Sequence, residues 1–290
     1  MAGGTFSDSW KLTKTAFGLI RQDRALLVFP LVAGLAILGV LALFILGILW
    51  TVPFLLGGGS AATTYEALAV VLFLVMYFLC SFISVYATAA LVGAATLKLN
   101  GEQPTAADGW RIARSKLGTL LVWSLISATV GLVIQAVSRR LGGIVGVVAG
   151  AVGGATWTVV TYFMIPVLIY ESDGAWTSIK RSAKLFISTF GRSIVSNLVV
   201  GLIVAAGIIV AVLLGVAGVF LLLGRATVLG VVLIGLALAA GTIFLLIGAA
   251  AEGILRAALY RYATTGKIDP DLLPKGYAVT PRDTFGTPLA

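Results

Sequence analysis

The ionisable side chains that stand beside the apolar stretches of this chain are Glu66, Glu171, Glu252 and Arg256. Glu252 and Arg256 are four residues apart, so they share one face of a helix and can form an ion pair. An ionisable residue deep in a bilayer would instead indicate a proton relay or a substrate site. Because both residues stand at the end of an apolar stretch, we expect the ion pair.

The sequence lacks the residues from which most catalytic sites are built. It contains no histidine, which removes the commonest general base and the commonest metal ligand. No glycine loop ends in Lys-Ser or Lys-Thr, and no carboxylates stand at metal-ligand spacing. The single cysteine, Cys80, lies among apolar residues and is expected to pack there. We therefore expect no enzyme, no cofactor and no metal site.

The composition indicates that lipid is the solvent of most of this surface. Hydrophobic residues make up 60% of the 290 residues and charged residues only 11%, against roughly 25% charged in soluble domains. A spanning helix needs about 20 mostly apolar residues. Six stretches qualify, near 25–52, 67–97, 117–137, 143–170, 193–223 and 227–250. The predicted fold class is all-α: a polytopic transmembrane bundle of six spans in three hairpins, each preceded by a cytoplasmic interfacial helix.

The basic residues predict the orientation of these spans. Of the 20 Lys and Arg residues, 17 lie in the terminal segments and the two long connections, and 3 (Arg139, Arg140 and Arg225) lie in the short turns. The positive-inside rule then places both termini on the cytoplasmic side of the membrane. The net charge of +9 is scattered between apolar stretches, so nucleic acid is not an expected partner. More than twenty residues precede the first apolar run, so a cleavable signal peptide is not expected.

Three segments that begin with tryptophan precede the three predicted hairpins. They start at Trp10, Trp110 and Trp176, and the third continues through Arg181 and Lys184. Its apolar residues recur at helical spacing, from Asp173 and Gly174 at the start to Gly191 at the end. We expect tryptophan at headgroup depth and basic side chains toward anionic lipid.

The three segments suggest an internal repeat. The predicted six-span domain, 1–263, would contain pseudo-repeats of about 5–97, 105–170 and 173–263, followed by an extended or disordered cytoplasmic tail, 264–290. Parallel repeats imply a pseudo-symmetry axis along the membrane normal. The alternative is that any protein with an even number of spans yields hairpins with basic inner loops.

Glycine and proline add two predictions about the fourth span. Gly142, Gly146, Gly150 and Gly154 recur every four residues, a stripe that lets helices approach closely. The stripe predicts packing between spans of one chain, or alternatively a homo-oligomer interface. Pro166 should kink the span near its inner end.

Short motifs along most of the chain resemble uncharacterised six-span membrane proteins of bacteria and archaea. They include Ser9-Trp10-Lys11-Leu12, the run from Pro166 to Glu171, and Ile179-Lys180-Arg181-Ser182. The loop Gly101-Glu102-Gln103-Pro104-Thr105 is similar to the membrane domain found beside some glycerophosphodiester phosphodiesterases. The resemblance implies a multi-pass membrane fold and assigns no mechanism.

Three functions are consistent with these residues. The first is a non-catalytic membrane module that organises lipids or partner proteins, including further copies of itself. The second is a transporter or channel for a small or lipidic solute, which the kinked span and the threonines near Trp157 favour. The third, a membrane enzyme, lacks catalytic groups.

Overall fold

The computed structural model describes residues 24–56, 60–171 and 174–265, and their side chains except at 24, 51, 53–56, 60–64 and 188–199. Within these residues the chain is helical and has no strand, which confirms the all-α fold class. A 3₁₀ turn, Arg24–Leu27, precedes the first α-helix. The helices are α1 (Val28–Leu56), α2 (Ser60–Leu99), α3 (Ala106–Ser115), α4 (Leu117–Leu141), α5 (Gly143–Val160), α6 (Met164–Tyr170), α7 (Ala175–Leu223) and α8 (Thr227–Thr265).

Six segments are long and apolar enough to cross a bilayer, as predicted, so the chain is a multi-pass membrane protein. Backbone groups in hydrocarbon must be satisfied within the chain, which is why these segments are helices. The segments are Ala25–Trp50, Tyr65–Leu99, Leu117–Leu141, Gly143–Tyr170, Val200–Leu223 and Thr227–Thr265.

Helix α7 differs from its prediction, because it runs through Gly191 without ending there. It is a single helix of 49 residues that joins the segment beginning at Trp176 to the fifth span. A glycine inside a helix costs only about 1 kcal/mol. A helix end at the same place would leave up to four carbonyl groups without partners at the edge of the hydrocarbon. The continuous helix therefore has the lower free energy.

The described residues form two compact units. Unit A contains residues 31–93 and 107–183, and unit B contains residues 24–30, 94–106 and 184–265. The buried residues of unit A lie at the end of α2, on one face of α4 and throughout α6. Its largest fully buried side chains are Val92, Leu120, Phe163, Met164, Val167 and Leu168.

Unit B is held together around the last turns of α8. Leu26 and Phe29 are buried, and the 3₁₀ turn that carries Leu26 packs against α8. Ile254, Leu255 and Leu259 of α8 are buried as well. Arg261 reaches from α8 to the carbonyl oxygen of Leu99 and donates a hydrogen bond to it. That carbonyl belongs to the last turn of α2, where helical partners are lacking.

Helices α4 and α5 of unit A pack as an antiparallel pair through small residues. The Ser138 hydroxyl donates to the carbonyl oxygen of Gly146. A Cβ atom at Gly146 or Gly150 would collide with Ser138, and one at Gly153 would press on Ile134. Two of the four glycines of the predicted stripe therefore pack against α4 of the same chain.

The other two glycines of that stripe lie elsewhere. Gly142 is the single residue between α4 and α5, with φ at +63°. Only glycine adopts this backbone conformation without strain, so Gly142 forms the turn. Gly154 has no atom within 4 Å of its ideal Cβ position.

In unit B, α8 and the part of α7 from residue 184 onward also pack through glycines, and here the glycines face larger side chains. The Phe244 ring lies where a Cβ of Gly207 would be, and Val204 crowds the Cβ position of Gly248 in the same manner. Nearer the connecting turn, Gly218 and Gly230 bring the two backbones into direct contact. Close approach of this kind gains dispersion energy that lipid does not supply.

Candidate functional site

The interruption between α5 and α6 is the feature from which the site is built. Pro166 lacks an amide hydrogen, and its ring clashes with the carbonyl of the residue four positions earlier. The helix accordingly breaks at residues 161–163 and restarts at Met164, with Pro166 in the first turn of α6. Its neighbours in α6, from Met164 to Ile169, are all buried.

The break is held by a serine from α7. The backbone N–H of Phe163 donates to the hydroxyl oxygen of Ser182 at 3.0 Å, and both residues are fully buried. Ser182 and Ser178 lie one turn apart on α7, and both side chains are inaccessible to solvent. The buried stripe of α7 therefore starts with two serines, where the sequence predicted an apolar face that included Trp176.

An ion pair connects the end of α6 to the start of α7. The Arg181 Nε–H donates to both carboxylate oxygens of Glu171, at 2.9 and 3.2 Å. The side chains are 30% and 22% exposed, so water screens this pair less than one on an open surface. Together with the Ser182 hydrogen bond, the pair links the segment around α6 to the start of α7.

Trp176 points away from these buried groups. Its side chain is 69% exposed, and the Lys180 ammonium nitrogen lies 5.4 Å from the centre of its ring. A cation over an indole face is attracted by the ring quadrupole. Lys184, one turn further along α7, is also exposed. Of the predicted interfacial anchors on α7, Trp176 and Lys184 are therefore exposed, while Arg181 is engaged by Glu171.

Trp110, the corresponding residue of α3, is placed differently. Its ring stacks on Tyr86 at 5.5 Å between centroids, and Tyr86 in turn stacks on Phe82. Gly109 and Ala113 of α3 are buried. A Cβ at Gly93 of α2 would lie 3.0 Å from Ile112, so α3 is packed tightly onto α2. Trp10, the third predicted anchor, lies outside the described residues.

The remaining predicted site residues lie on α8. Arg256 donates to a carboxylate oxygen of Glu252 within the same helix. The two residues therefore form a local ion pair in the C-terminal part of α8, and Arg256 is the more enclosed partner, at 22% against 44% exposure.

The described side chains at these places make electrostatic and packing contacts. Among them, no three Cys, Asp or Glu residues approach closely enough to hold a metal ion. The burial of the Ser178 and Ser182 hydroxyls and the Glu171–Arg181 pair had no signal in sequence spacing, whereas Trp176 and Lys180 are four residues apart and so share one helix face. The one available hint was Pro166, because a helix break frees a backbone N–H that some acceptor must satisfy.

Comparison with known proteins agrees with a membrane protein of undetermined role. Residues 65–269 match the model of DUF6159, a family of unknown function, and this range covers well over half of the chain. No curated protein matches the chain, and no solved structure matches it. The similarity of residues 101–105 to the membrane domain of some glycerophosphodiester phosphodiesterases does not emerge from these comparisons. The chain is thus a member of the DUF6159 family.

Proposed function

We propose that this chain is a non-catalytic protein of a bacterial or archaeal cytoplasmic membrane that organises lipids or partner proteins at the cytoplasmic face. Both termini and the two long connections would face the cytoplasm. Anionic lipids would be its first partners, and further copies of the chain or other membrane proteins would be additional ones. The proposal includes no cofactor and no nucleic acid.

One observation carries this proposal: the charged residues lie beside the apolar spans, and 17 of the 20 basic residues lie in the terminal segments and the two long connections. No charged residue occurs between Arg24 and Glu66, between Lys116 and Arg139, or between Arg140 and Glu171. The ion pairs Glu171–Arg181 and Glu252–Arg256 lie just beyond such charge-free stretches. Intramembrane charges mark most ion and proton pathways, so their absence from these stretches favours a module whose work is done at the surface.

The burial pattern supports the proposed threefold repeat. The second helix of each predicted hairpin ends in a buried segment that lies on the cytoplasmic side in the proposed orientation. These segments are 87–95 in α2, where Thr88 is half-buried, 162–169 before and in α6, and 250–260 in α8, where Glu252, Arg256 and Ala258 are half-buried. The same feature at three corresponding places favours a repeat over three independent hairpins.

A flux and lipid-retention experiment tests the proposal. The full chain would be purified in mild detergent and reconstituted into liposomes that contain phosphatidylglycerol and phosphatidylcholine. We expect phosphatidylglycerol to be enriched among the lipids that remain with the protein after purification, and no solute flux above that of empty liposomes. Equal retention of both lipids would contradict the lipid role.

A transporter or channel is the second candidate, and hydroxyl groups on facing helices favour it. Ser81 of α2 donates to the carbonyl oxygen of Ser124 on α4 at 3.3 Å, and the Ser124 side chain is fully buried. About one turn earlier on α2 and two turns later on α4, the Tyr77 hydroxyl lies against Gly131. These hydroxyls fill the space between α2 and α4, which favours packing, but a small movement would expose them to a solute. Reproducible flux of a candidate solute, lost in Gly131→Leu, would establish this alternative.

The resemblance of residues 101–105 to a phosphodiesterase-associated membrane domain belongs to the same proposal. It would place the chain beside an enzyme of lipid metabolism as a partner. Cross-linking in native membranes, followed by identification of the captured proteins, tests this kinship.

A further inference from the structure

We propose that Trp176 and Lys180 form a binding site for the phosphate of an anionic phospholipid headgroup. The inference rests on the proposed function, because it identifies which residues of the cytoplasmic face select the lipid. It also separates two adjacent cations, Lys180 and Arg181, that the sequence alone does not distinguish.

The geometry of the pair presents the ammonium group to its surroundings. Lys180 lies one turn after Trp176 on α7, with its ammonium nitrogen 5.4 Å from the ring centre. Contact with the ring restricts the lysine side chain without consuming any of its three N–H donors. Both side chains are exposed, so a phosphate can approach the ammonium from outside.

Of the two adjacent cations, Arg181 is engaged by a carboxylate and Lys180 is the accessible one. Arg181 already donates to both oxygens of Glu171. None of the ion pairs formed between described residues involves Lys180. A phosphate that approached Arg181 would have to compete with a bound carboxylate, whereas one that approached Lys180 would not.

The exposed indole indicates a lipid rather than a soluble anion. Trp176 follows six residues after Tyr170, the last residue of the fourth candidate span. Tryptophan prefers this boundary because its ring contacts the glycerol and acyl region while its N–H stays near water. A phospholipid satisfies both halves of the pair, the phosphate at Lys180 and the apolar part at Trp176. A free phosphate satisfies only the lysine.

Native mass spectrometry of the full chain in detergent tests the site. Phosphatidylglycerol and phosphatidylcholine with identical acyl chains would be titrated in competition, and the ratio of the two lipid adducts measured. We expect wild type to prefer phosphatidylglycerol, and Lys180→Gln to lower that preference about fivefold, the effect of one basic residue near an anionic surface. Lys180→Arg keeps the charge and the ring contact, so it should keep the preference.

A matched control removes the same charge from the other end of the spans. Arg140 is exposed beside the turn between α4 and α5, and Arg140→Gln should leave the first phosphatidylglycerol adduct unchanged. A full preference in a folded Lys180→Gln variant would overturn the site while leaving the proposed function intact. Absence of any preference in wild type would overturn both the site and the proposed lipid role. Displacement of phosphatidylglycerol by excess inorganic phosphate would replace the lipid with a soluble anion and so overturn the proposal.

Discussion

Helix α3 and the first turns of α7 have similar sequences, each a tryptophan followed by basic residues, but they use those residues in opposite ways. In α3, Trp110 packs on Tyr86, and Arg111 pairs with Asp108 of the same helix on an exposed surface. In α7, Trp176 is exposed, and Arg181 is bound to Glu171 ten residues earlier. Trp110 is packed against its neighbours whereas Trp176 is exposed. The arginines are the opposite: Arg111 is exposed, and Arg181 is held in a partly buried ion pair.

The reason lies in what each helix buries. Helix α3 presents Gly109 and Ala113 to its neighbours, so it sits close enough for the indole to stack. The start of α7 must supply a hydroxyl to the helix break before Pro166, which turns Ser178 and Ser182 inward. Trp176 lies two residues before Ser178, about 200° away around the helix, and is therefore directed outward. The same rotation of α7 also buries Leu185 and Phe186, so the hydrogen bond and apolar burial act together on one face.

The largest expected difference concerns the two tryptophans. Trp110→Ala removes a half-buried stacked ring, so we expect the free energy of unfolding to fall by about 2–3 kcal/mol. Trp176→Ala should change it by less than about 0.5 kcal/mol, because that ring makes few packing contacts. Unfolding of the detergent-solubilised protein by sodium dodecyl sulfate, followed by far-UV circular dichroism, measures both. Equal losses would abolish the distinction between the two segments.

The second comparison pairs a buried serine with an exposed one. Ser182→Ala removes the acceptor of the Phe163 N–H, and we expect a loss of about 2 kcal/mol, the cost of burying an unsatisfied polar group. Ser115 of α3 donates only to the carbonyl of Ile112 in its own helix and is exposed, so Ser115→Ala should cost less than about 0.5 kcal/mol. The same unfolding assay applies. A neutral Ser182→Ala would mean that the break does not depend on α7.

The smallest expected effects concern the two arginines. Arg181→Gln breaks a partly buried charge-assisted contact and should cost about 1 kcal/mol. Arg111→Gln should cost less than about 0.5 kcal/mol, because its 78% exposed side chain pairs with a near neighbour in water. Adding Glu171→Gln to Arg181→Gln should recover part of the loss, since no uncompensated carboxylate then remains. If the double variant lost more unfolding free energy than the two single variants together, this account would be contradicted.

The sequence alone predicted the part of the fold that is determined by placing apolar segments in lipid. Six charge-poor stretches in hydrocarbon must be helices, and their limits lie within a few residues of prediction at Ala25–Trp50 and Leu117–Leu141. Where the chain meets water, helix ends depend on local partners. The fifth and sixth spans belong to helices that extend well beyond the apolar stretch, through Gly191 in α7 and to Thr265 in α8.

The candidate site was less predictable, because it depends on contacts between residues that no periodicity relates. Glu171 and Arg181 were both recognisable as charged residues, but the connection between α6 and α7 lies between them, so no helical spacing relates them. Ser182 looked like an ordinary polar residue of an amphipathic helix until the freed N–H of Phe163 gave it a role. The spacing of four between Glu252 and Arg256 was readable, since both lie on one continuous helix.

Cysteine accessibility tests the central claim, that the start of α7 and the turn between α4 and α5 lie on opposite sides of a membrane. Cys80, the only cysteine of the chain, would first be replaced by Cys80→Ser. Arg140→Cys and Thr177→Cys would then be introduced separately, both at exposed positions. In intact cells, a membrane-impermeant maleimide should label the Arg140→Cys variant alone, and the Thr177→Cys variant should react only after permeabilisation. Labelling of both variants in intact cells would contradict the proposed topology.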